Sequence, residues 1–181
     1  MADYAHPESL VDTQWVAEHV NDANVRLVEV DVDTSAYEQG HIAGAVGWNW
    51  QSQLQQSLRR DLISKEELDQ LLGGSGIDNN TTVVLYGDNN NWFACWAFWQ
   101  MKYYGHNDVR VMNGGRAKWE AEGRPLTTTA ANASAKSYQA SSPNESIRAY
   151  RDQVLASVNA GNVALVDVRS PDEYNGTLLA P

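Results

Sequence analysis

A polar loop between an apolar strand and an aromatic helix is the part of the sequence that most suggests chemistry. It lies in VVLYGDNNNWFACWAFWQMKYYGH, which runs from Val83 to His106 and contains the only cysteine, Cys95. A cysteine thiolate is a strong nucleophile, and backbone N–H groups at the start of a helix attract anions. A strand end, a turn and a helix N-terminus are how an α/β enzyme places a reactive loop, so this stretch is either a catalytic site or the shape of a site that has no nucleophile. However, the loop opens with Gly87 and Asp88, and Cys95 comes only within the following helix.

Cys95 has two interpretations. As a persulfide carrier or redox thiol, it would have to be accessible to solvent. As a small core residue, it would be covered by the aromatic side chains near it in the sequence, which are Trp92, Phe93, Trp96, Phe98 and Trp99. Free cysteines are often buried, and apolar surroundings raise the thiol pKa. We therefore expect Cys95 to be buried and unreactive.

The other conspicuous side chains are expected to be structural. No second histidine, cysteine or carboxylate stands at metal-ligand spacing around His41, so we predict no metal and no cofactor, and a ring nitrogen of His41 bonded to the backbone of a turn. His106 follows Gly105 and is expected to end a helix, where the helix dipole favours it. Trp48 and Trp50 could line a cleft, but we favour a role in packing.

Charged residues follow two similar apolar runs. Asp31 and Asp33 come after RLVEV, and Asp167 and Arg169 stand at the end of VALVDV. Ligand sites in α/β proteins lie beyond the carboxyl ends of the strands. We therefore predict that Asp167 and Arg169 lie beside a binding site. The alternative is that they form an exposed salt bridge.

The elements that must position these residues alternate between helix and strand. In chain order we predict a helix capped by Ser9 or Asp12, a strand at 26–30, a short strand led in by 41–46, a helix capped by Ser64 and Glu67, a strand at 82–86, a helix at 92–104, a strand at 109–112 and a helix at 116–122. Alternation of this kind is typical of the α/β class. We predict a mainly parallel central sheet with helices on both faces.

The chain is predicted to hold one complete domain and the beginning of a second. Residues 1–126 would form the first domain, and residues 127–146, rich in Ala, Ser, Thr and Asn, would form a linker. Residues 147–181 then repeat the opening pattern of the chain, with a helix and an apolar strand, VALVDV. A single helix and strand cannot form a domain alone. This part therefore belongs to a longer protein, is completed by a companion chain, or docks on the first domain.

Composition restricts the function further. The chain has 181 residues, a formal net charge of −10 and a pI of about 4.7, which disfavours binding to nucleic acid or to an anionic membrane. A single cysteine excludes an internal disulfide framework. We see no membrane span and no signal peptide in the sequence. We therefore expect a cytoplasmic protein with neither nucleic-acid nor membrane partners.

Several motifs resemble the rhodanese (thiosulfate sulfurtransferase) family in its tandem two-domain, bacterial form. They are GHIAGAV at 40–46, LYGDNNNW at 85–92, YYGH at 103–106, NGGRAKWEAEGRPL at 113–126 and LVDVRSPDEYNG at 165–176. The resemblance implies a rhodanese-like α/β fold and transfer of sulfane sulfur from thiosulfate to a thiophilic acceptor such as cyanide. It also implies that the sulfur is carried as a cysteine persulfide.

The resemblance also implies where the nucleophile should be. In the family the cysteine opens the loop after the central strand, and here Gly87 occupies that place. The implied organisation is a first domain that has lost the cysteine and a second domain that keeps it, beyond Pro181. We therefore expect no catalytic residue in this chain, and no activity from the chain alone.

In the family, the acidic residue at the place of Asp167 helps to position groups beside the active loop, and a nearby Arg such as Arg169 can meet thiosulfate. Many two-domain members carry an Arg where this sequence has Glu173, which puts that route to anion binding in doubt. The alternative to a truncated enzyme is a catalytically inactive rhodanese module that serves as a protein-binding or regulatory scaffold.

Overall fold

Five parallel strands form the central sheet of the computed structural model, which describes residues 4–179. They are β1 Leu10–Val11, β2 Val25–Asp31, β3 Val46–Asn49, β4 Thr82–Tyr86 and β5 Val109–Met112. Their order across the sheet is β1-β5-β4-β2-β3, and each adjacent pair is parallel. The predicted α/β fold with a parallel sheet is confirmed. β1 was not predicted, because two residues carry no periodic pattern.

Helices cover both faces of this sheet. They are α1 Thr13–His19, α2 Ser35–Gln39, α3 Trp50–Gln53, α4 Lys65–Gly74, α5 Trp92–Tyr103 and α6 Gly115–Ala121. Two further helices, α7 Arg151–Ala160 and α8 Pro171–Tyr174, belong to a separate compact unit. Successive side chains of a strand point to opposite faces, so β4 contributes to two cores. Val83 and Leu85 pack with residues of α4 and α5, whereas Val84 and Tyr86 pack with residues of α1 and α6.

Capping residues fix the helix starts that the sequence predicts. The Ser64 backbone N–H donates to Glu67 Oε2 at 2.7 Å, and the Glu67 backbone N–H donates to Ser64 Oγ at 3.2 Å, which confirms the capping box of α4. Of the two predicted caps of α1, Asp12 is the one used. Its carboxylate accepts the backbone N–H of Trp15 at 2.7 Å.

Most of the linker predicted at residues 127–146 belongs to the first compact unit, which comprises residues 1–144. The backbone N–H of Lys136 donates to Gly73 O at 2.9 Å, and that of Ser141 donates to Tyr104 O at 2.9 Å. Tyr138 is only 7% exposed. This segment is therefore anchored by backbone hydrogen bonds and by a buried aromatic ring, rather than hanging free.

The second compact unit comprises residues 145–181 and contains α7 and α8. The strand predicted at 163–168 is wrong, because these residues form no regular element. Val166 and Val168 are 82% and 86% exposed. A parallel strand needs neighbours for its hydrogen bonds, and β2, its counterpart in the first unit, lies between β3 and β4. No helix in residues 4–179 is long and apolar enough to span a membrane.

Candidate functional site

The loop from β4 to α5 begins with a glycine that has no room for a side chain. A Cβ atom added to Gly87 would collide with the backbone oxygen of Val30 and would lie 2.9 Å from Asp31 Oδ1. Val30 is in β2, which is bonded on both sides, so its carbonyl cannot move aside. The place where a nucleophilic cysteine would stand is therefore closed to any residue except glycine.

Three backbone N–H groups of this loop already have hydrogen-bond acceptors inside the protein. Gly87 donates to Asn91 Oδ1 at 3.0 Å, and Asp88 donates to Asp31 Oδ1 at 2.9 Å. The N–H of Asn91 is bonded to Asp88 O at 2.9 Å. Oxyanion binding requires such donors to point at the ligand. These three donors are engaged inside the protein, so they are not available to bind an anion.

Three asparagines give the loop its shape. Asn89, Asn90 and Asn91 have φ values of 45°, 56° and 65°, in the left-handed region that is costly for most residues other than glycine. Asparagine tolerates this region best among the others. The amide of Asn91 also donates from Nδ2 to Met112 O at 2.9 Å, which ties the loop to β5. Three consecutive asparagines in the sequence therefore indicate a loop with left-handed backbone conformation.

Asp31 lies beneath the loop as a buried acid. Its side chain is 1% exposed, and Oδ2 has no hydrogen-bond partner in the part of the chain that the structure describes. Burial raises the pKa of Asp31 to about 8, and this outweighs the lowering effect of the hydrogen bond from the Asp88 backbone. At neutral pH the carboxyl group is therefore mostly protonated. Neither the neutral nor the ionised form of this carboxyl group attracts an anionic substrate.

A buried ion pair lies behind the loop. Arg116 donates from Nη1 to Glu29 and from Nε to Glu120 Oε1 at 2.8 Å, and Glu29 also accepts the hydroxyl of Tyr86 at 2.7 Å. Burial alone would lower the pKa of Arg116, but the hydrogen bond and charge of Glu29 raise it. Sequence analysis missed this network. The signal was a single Glu inside the apolar strand RLVEVD.

The ion pair also holds the GHIAGA turn. Arg116 Nη2 donates to Gly40 O at 2.6 Å, and the Tyr86 hydroxyl accepts the backbone N–H of Ile42 at 3.2 Å. A cavity of about 460 Å³ lies in front of it, lined by Gly87, Asp88 and Asn90 of the loop and by Arg116 and Glu120 of α6. Because Arg116 is already paired with two carboxylates, its charge is not available to an anion in this cavity.

Cys95 lies at the surface, so the prediction that it is buried is wrong. The buried face of α5 consists of Ala94, Ala97, Gln100, Met101 and Tyr103. Cys95 is on the other side with Trp92, which is 51% exposed. The helix is apolar on every side, so its sequence does not indicate which face meets the core. Partial burial by its neighbours still raises the pKa of the Cys95 thiol, which disfavours the nucleophilic thiolate.

His41 has the structural role predicted for it. Nδ1 lies 2.9 Å from Tyr37 O and Nε2 lies 3.1 Å from Thr129 O, and the ring stacks on Tyr37. His106 is a buried ring 3.0 Å from Thr81 O, and burial lowers its pKa. As predicted, His106 lies at the helix end, where its backbone N–H donates to Met101 O at 2.9 Å, but the lowered pKa of the ring disfavours the charged form that the helix dipole would favour.

Both tryptophans are packing residues, as favoured. Trp48 is 1% exposed and donates from Nε1 to Ser75 Oγ at 2.9 Å. Trp50 packs against Phe93 and Trp96, with ring centroids 5.0 and 5.8 Å away. Within residues 4–179, no group of three or more His, Cys, Asp or Glu side chains could hold a metal ion.

Asp167 and Arg169 lie together in the second unit as a salt bridge, with Arg169 Nη2 2.6 Å from Asp167 Oδ2. Their side chains are 37% and 49% exposed. The hydrogen bonds from Arg169 lower the pKa of Asp167 to about 2. Glu173 caps α8, since its carboxylate accepts the backbone N–H of Ser170 at 2.8 Å. This local role accounts for an acidic residue at position 173.

Residues 12–122 match the model of the rhodanese-like domain, which covers more than half of the chain. The chain belongs to the rhodanese-like family. This rhodanese-like chain is 51% identical over 174 residues to a protein of Saccharopolyspora erythraea provisionally named a thiosulfate sulfurtransferase. It is 55% identical over 178 residues to the sulfur carrier protein TtuD of Thermus thermophilus.

These relatives are longer than the 181-residue chain. The first match covers 96% of the chain but 61% of the relative, and the second covers 97% and 62%. Among solved structures, the fold resembles SseA of Escherichia coli, described as a 3-mercaptopyruvate sulfotransferase. That match has a TM-score of 0.77 and covers 94% of this chain and 69% of the other, at 19% identity, so it shows the fold alone.

Proposed function

We propose that the parent protein is a thiosulfate sulfurtransferase and that residues 1–181 alone are inactive. In this reaction a cysteine thiolate attacks the outer sulfur of thiosulfate, the S–S bond breaks, and sulfite leaves with the electron pair. Cyanide or another thiophile then attacks the terminal sulfur of the persulfide, and the thiolate is regenerated. The names of the relatives support the sulfurtransferase class, and no cofactor is needed for either step.

The observation that carries the proposal is the closed position at Gly87. A nucleophile there is excluded by Val30 and Asp31, and the N–H groups of Gly87 and Asp88 already donate to Asn91 in the loop and to Asp31 at the end of β2. The raised pKa of the exposed Cys95 also makes it a poor substitute. We therefore assign the catalytic cysteine to the repeated domain that begins at residue 147, in the part of the parent protein that follows Pro181.

The internal repeat supports a role for Arg169. Aligning LVEVD at 27–31 with LVDVR at 165–169 places Glu29 opposite Asp167 and Asp31 opposite Arg169. Asp31 touches the loop of the first domain through the N–H of Asp88, close to the nucleophile's position. Arg169 would then reach the corresponding loop of the second domain. A guanidinium at that point stabilises both a thiolate and thiosulfate.

The same alignment gives Asp167 a positioning role. Glu29, its counterpart, is buried in β2 and pairs with Arg116 from the NGGR motif. In a complete second domain, Asp167 would pair with the arginine of the second copy of that motif, which would leave Arg169 free to meet the substrate. The single cysteine of this chain fits a reducing compartment, so we place the parent protein in the cytoplasm.

The experiment compares the 181-residue chain with a parent protein of the relatives' length, measuring thiocyanate formed from thiosulfate and cyanide. We expect activity from the parent protein, none from the chain, and partial recovery when the chain is combined with the missing remainder. Arg169→Ala in the parent protein should lower kcat/KM for thiosulfate, whereas Arg151→Ala, an exposed arginine of α7, should not. An inactive parent protein would instead support a rhodanese module that binds a partner.

A further inference from the structure

The loop between α3 and α4, residues 55–62, presents two arginines and a leucine to solvent. Gln55 and Leu62 form an antiparallel bridge at its base. Above it, the backbone N–H of Gln56 donates to Asp61 O at 2.7 Å, and that of Arg60 donates to Gln56 O at 2.9 Å. These bonds close the loop like a short hairpin. Its tip is therefore held in one shape without the help of the tip side chains.

The side chains at the tip of the loop are exposed and are not part of the core. Leu58 is 96% exposed, and Arg59 and Arg60 are exposed as well. Arg60 has a φ of 52°, in the left-handed region that costs a non-glycine residue about 1 kcal/mol. A single exposed leucine needs no explanation. An exposed leucine beside two arginines on a strained and closed loop is more typical of a binding surface.

Neither Arg59 nor Arg60 has an ion pair within residues 4–179, and this is unusual in the molecule. Most other cations donate to a carboxylate, as Arg110 does to Asp108 and Lys136 to Asp78. The formal net charge is −10, so unpaired carboxylates are abundant elsewhere. Asp61 follows Arg60, but its carboxylate accepts the backbone N–H of Leu62 at 2.7 Å and forms no ion pair with either arginine. The adjacent arginines are thus a local positive site on an acidic protein, and this favours an acidic partner.

We infer that residues 55–62 form a docking loop for an acidic segment of another protein. Arginine forms bidentate hydrogen bonds with carboxylates, and arginine together with a large apolar side chain is typical of interface hot spots. A preformed loop also loses little conformational entropy on binding. Two arginines suit a short run of acidic side chains, whereas nucleic acid and an anionic membrane present many charges that the net charge of −10 repels. Sulfur transfer does not use these residues, so the inference is independent of the proposed function.

A groove beside the loop offers room for the main chain of such a segment. It has a volume of about 720 Å³, and amide and hydroxyl side chains are the commonest in its lining, among them Gln55, Gln56, Ser57 and Gln70. The carboxylate in the lining, Glu67, accepts the backbone N–H of Ser64 in the capping box of α4. Glutamine amides both donate and accept hydrogen bonds, as the backbone of an extended peptide requires. The groove would hold the peptide backbone, and Arg59 and Arg60 would meet its carboxylates at the rim.

The test is an NMR titration of the nitrogen-15-labelled chain with a short peptide of alternating glutamate and alanine, and with its lysine counterpart. NMR detects weak binding and locates it. We expect the glutamate peptide to shift the backbone amide signals of residues 55–62 and the side-chain amides of the groove. The lysine peptide should not shift them, and added salt should weaken the effect.

Variants decide whether the arginines carry the binding. Replacing both Arg59 and Arg60 with Ala should lower the affinity for the glutamate peptide by roughly tenfold, because two charge-assisted contacts are lost. Arg151→Ala, the matched exposed arginine, should change the affinity less than about twofold. Unchanged spectra of the variants away from the loop would show that they fold. Shifts elsewhere on the surface, no shifts, or equal shifts in the double variant would overturn the inference.

Discussion

Placing the family's nucleophile at position 87 should damage the fold and restore no activity. In Gly87→Cys, the new Cβ would collide with Val30 O and lie 2.9 Å from Asp31 Oδ1. Overpacking of this kind costs about 1–3 kcal/mol, and displacing the loop would also weaken the hydrogen bond from Asp88 to Asp31, for about 1 kcal/mol more. We therefore expect Gly87→Cys to lower the free energy of unfolding by about 2–4 kcal/mol.

Urea unfolding followed by tryptophan fluorescence measures this effect. All seven tryptophans lie between residues 15 and 119, so the signal reports the first compact unit alone. Gly74→Cys is the matched control, because a Cβ at Gly74 meets nothing within 4 Å. The free energy of unfolding of Gly74→Cys should stay within about 1 kcal/mol of that of the unsubstituted 181-residue chain. A Gly87→Cys variant that is as stable as this control, or that forms thiocyanate from thiosulfate, would refute the reasoning.

Three further predictions concern other buried or reactive groups. Glu29→Gln should lower the free energy of unfolding by about 3–5 kcal/mol, because Arg116 loses its buried partner, whereas Glu120→Gln at the half-exposed partner should cost under about 1 kcal/mol. Asp31 has a folded pKa of about 8, above its unfolded value, so it stabilises the fold at low pH, and this contribution falls between about pH 4 and pH 8. In the unsubstituted chain, the free energy of unfolding should fall by up to about 1.4 kcal/mol per pH unit over this range because of Asp31. Asp31→Asn should remove this fall. If urea unfolding of the variant showed the same dependence on pH as the unsubstituted chain, the assignment to Asp31 would be wrong. Cys95 is exposed, so it should react completely with a thiol reagent in the folded protein. Because its pKa is raised, the reaction should be slower at neutral pH than that of a small free thiol and should become faster as pH rises. A folded protein that stays unlabelled would show that Cys95 is not exposed.

Local signals in the sequence predicted most of the first domain. Ser64 and Glu67 indicate the start of α4 by a capping box that the structure forms, and the strand at 82–86 has the predicted bounds. These features depend on neighbouring residues only. The segment at 163–168 has the same apolar composition as β2 but forms no strand, because a parallel strand depends on partners from elsewhere in the chain.

The candidate site shows the same limit. Sequence indicated that Gly87 replaces a nucleophile, but it could not show that Val30 and Asp31 close the space, since those contacts join residues far apart in the chain. The burial of Cys95 was predicted wrongly because α5 is apolar on all sides, so only packing decides which face is covered. Asp167 and Arg169 remain predicted site residues of the second domain.

We propose that the sulfur-carrying cysteine of the parent protein lies outside residues 1–181. The most direct measurement is peptide mapping by mass spectrometry of the parent protein after incubation with thiosulfate, without reduction. We predict one added sulfur atom on a cysteine of the second domain and an unmodified peptide containing Cys95. Added sulfur on Cys95 itself would contradict the account.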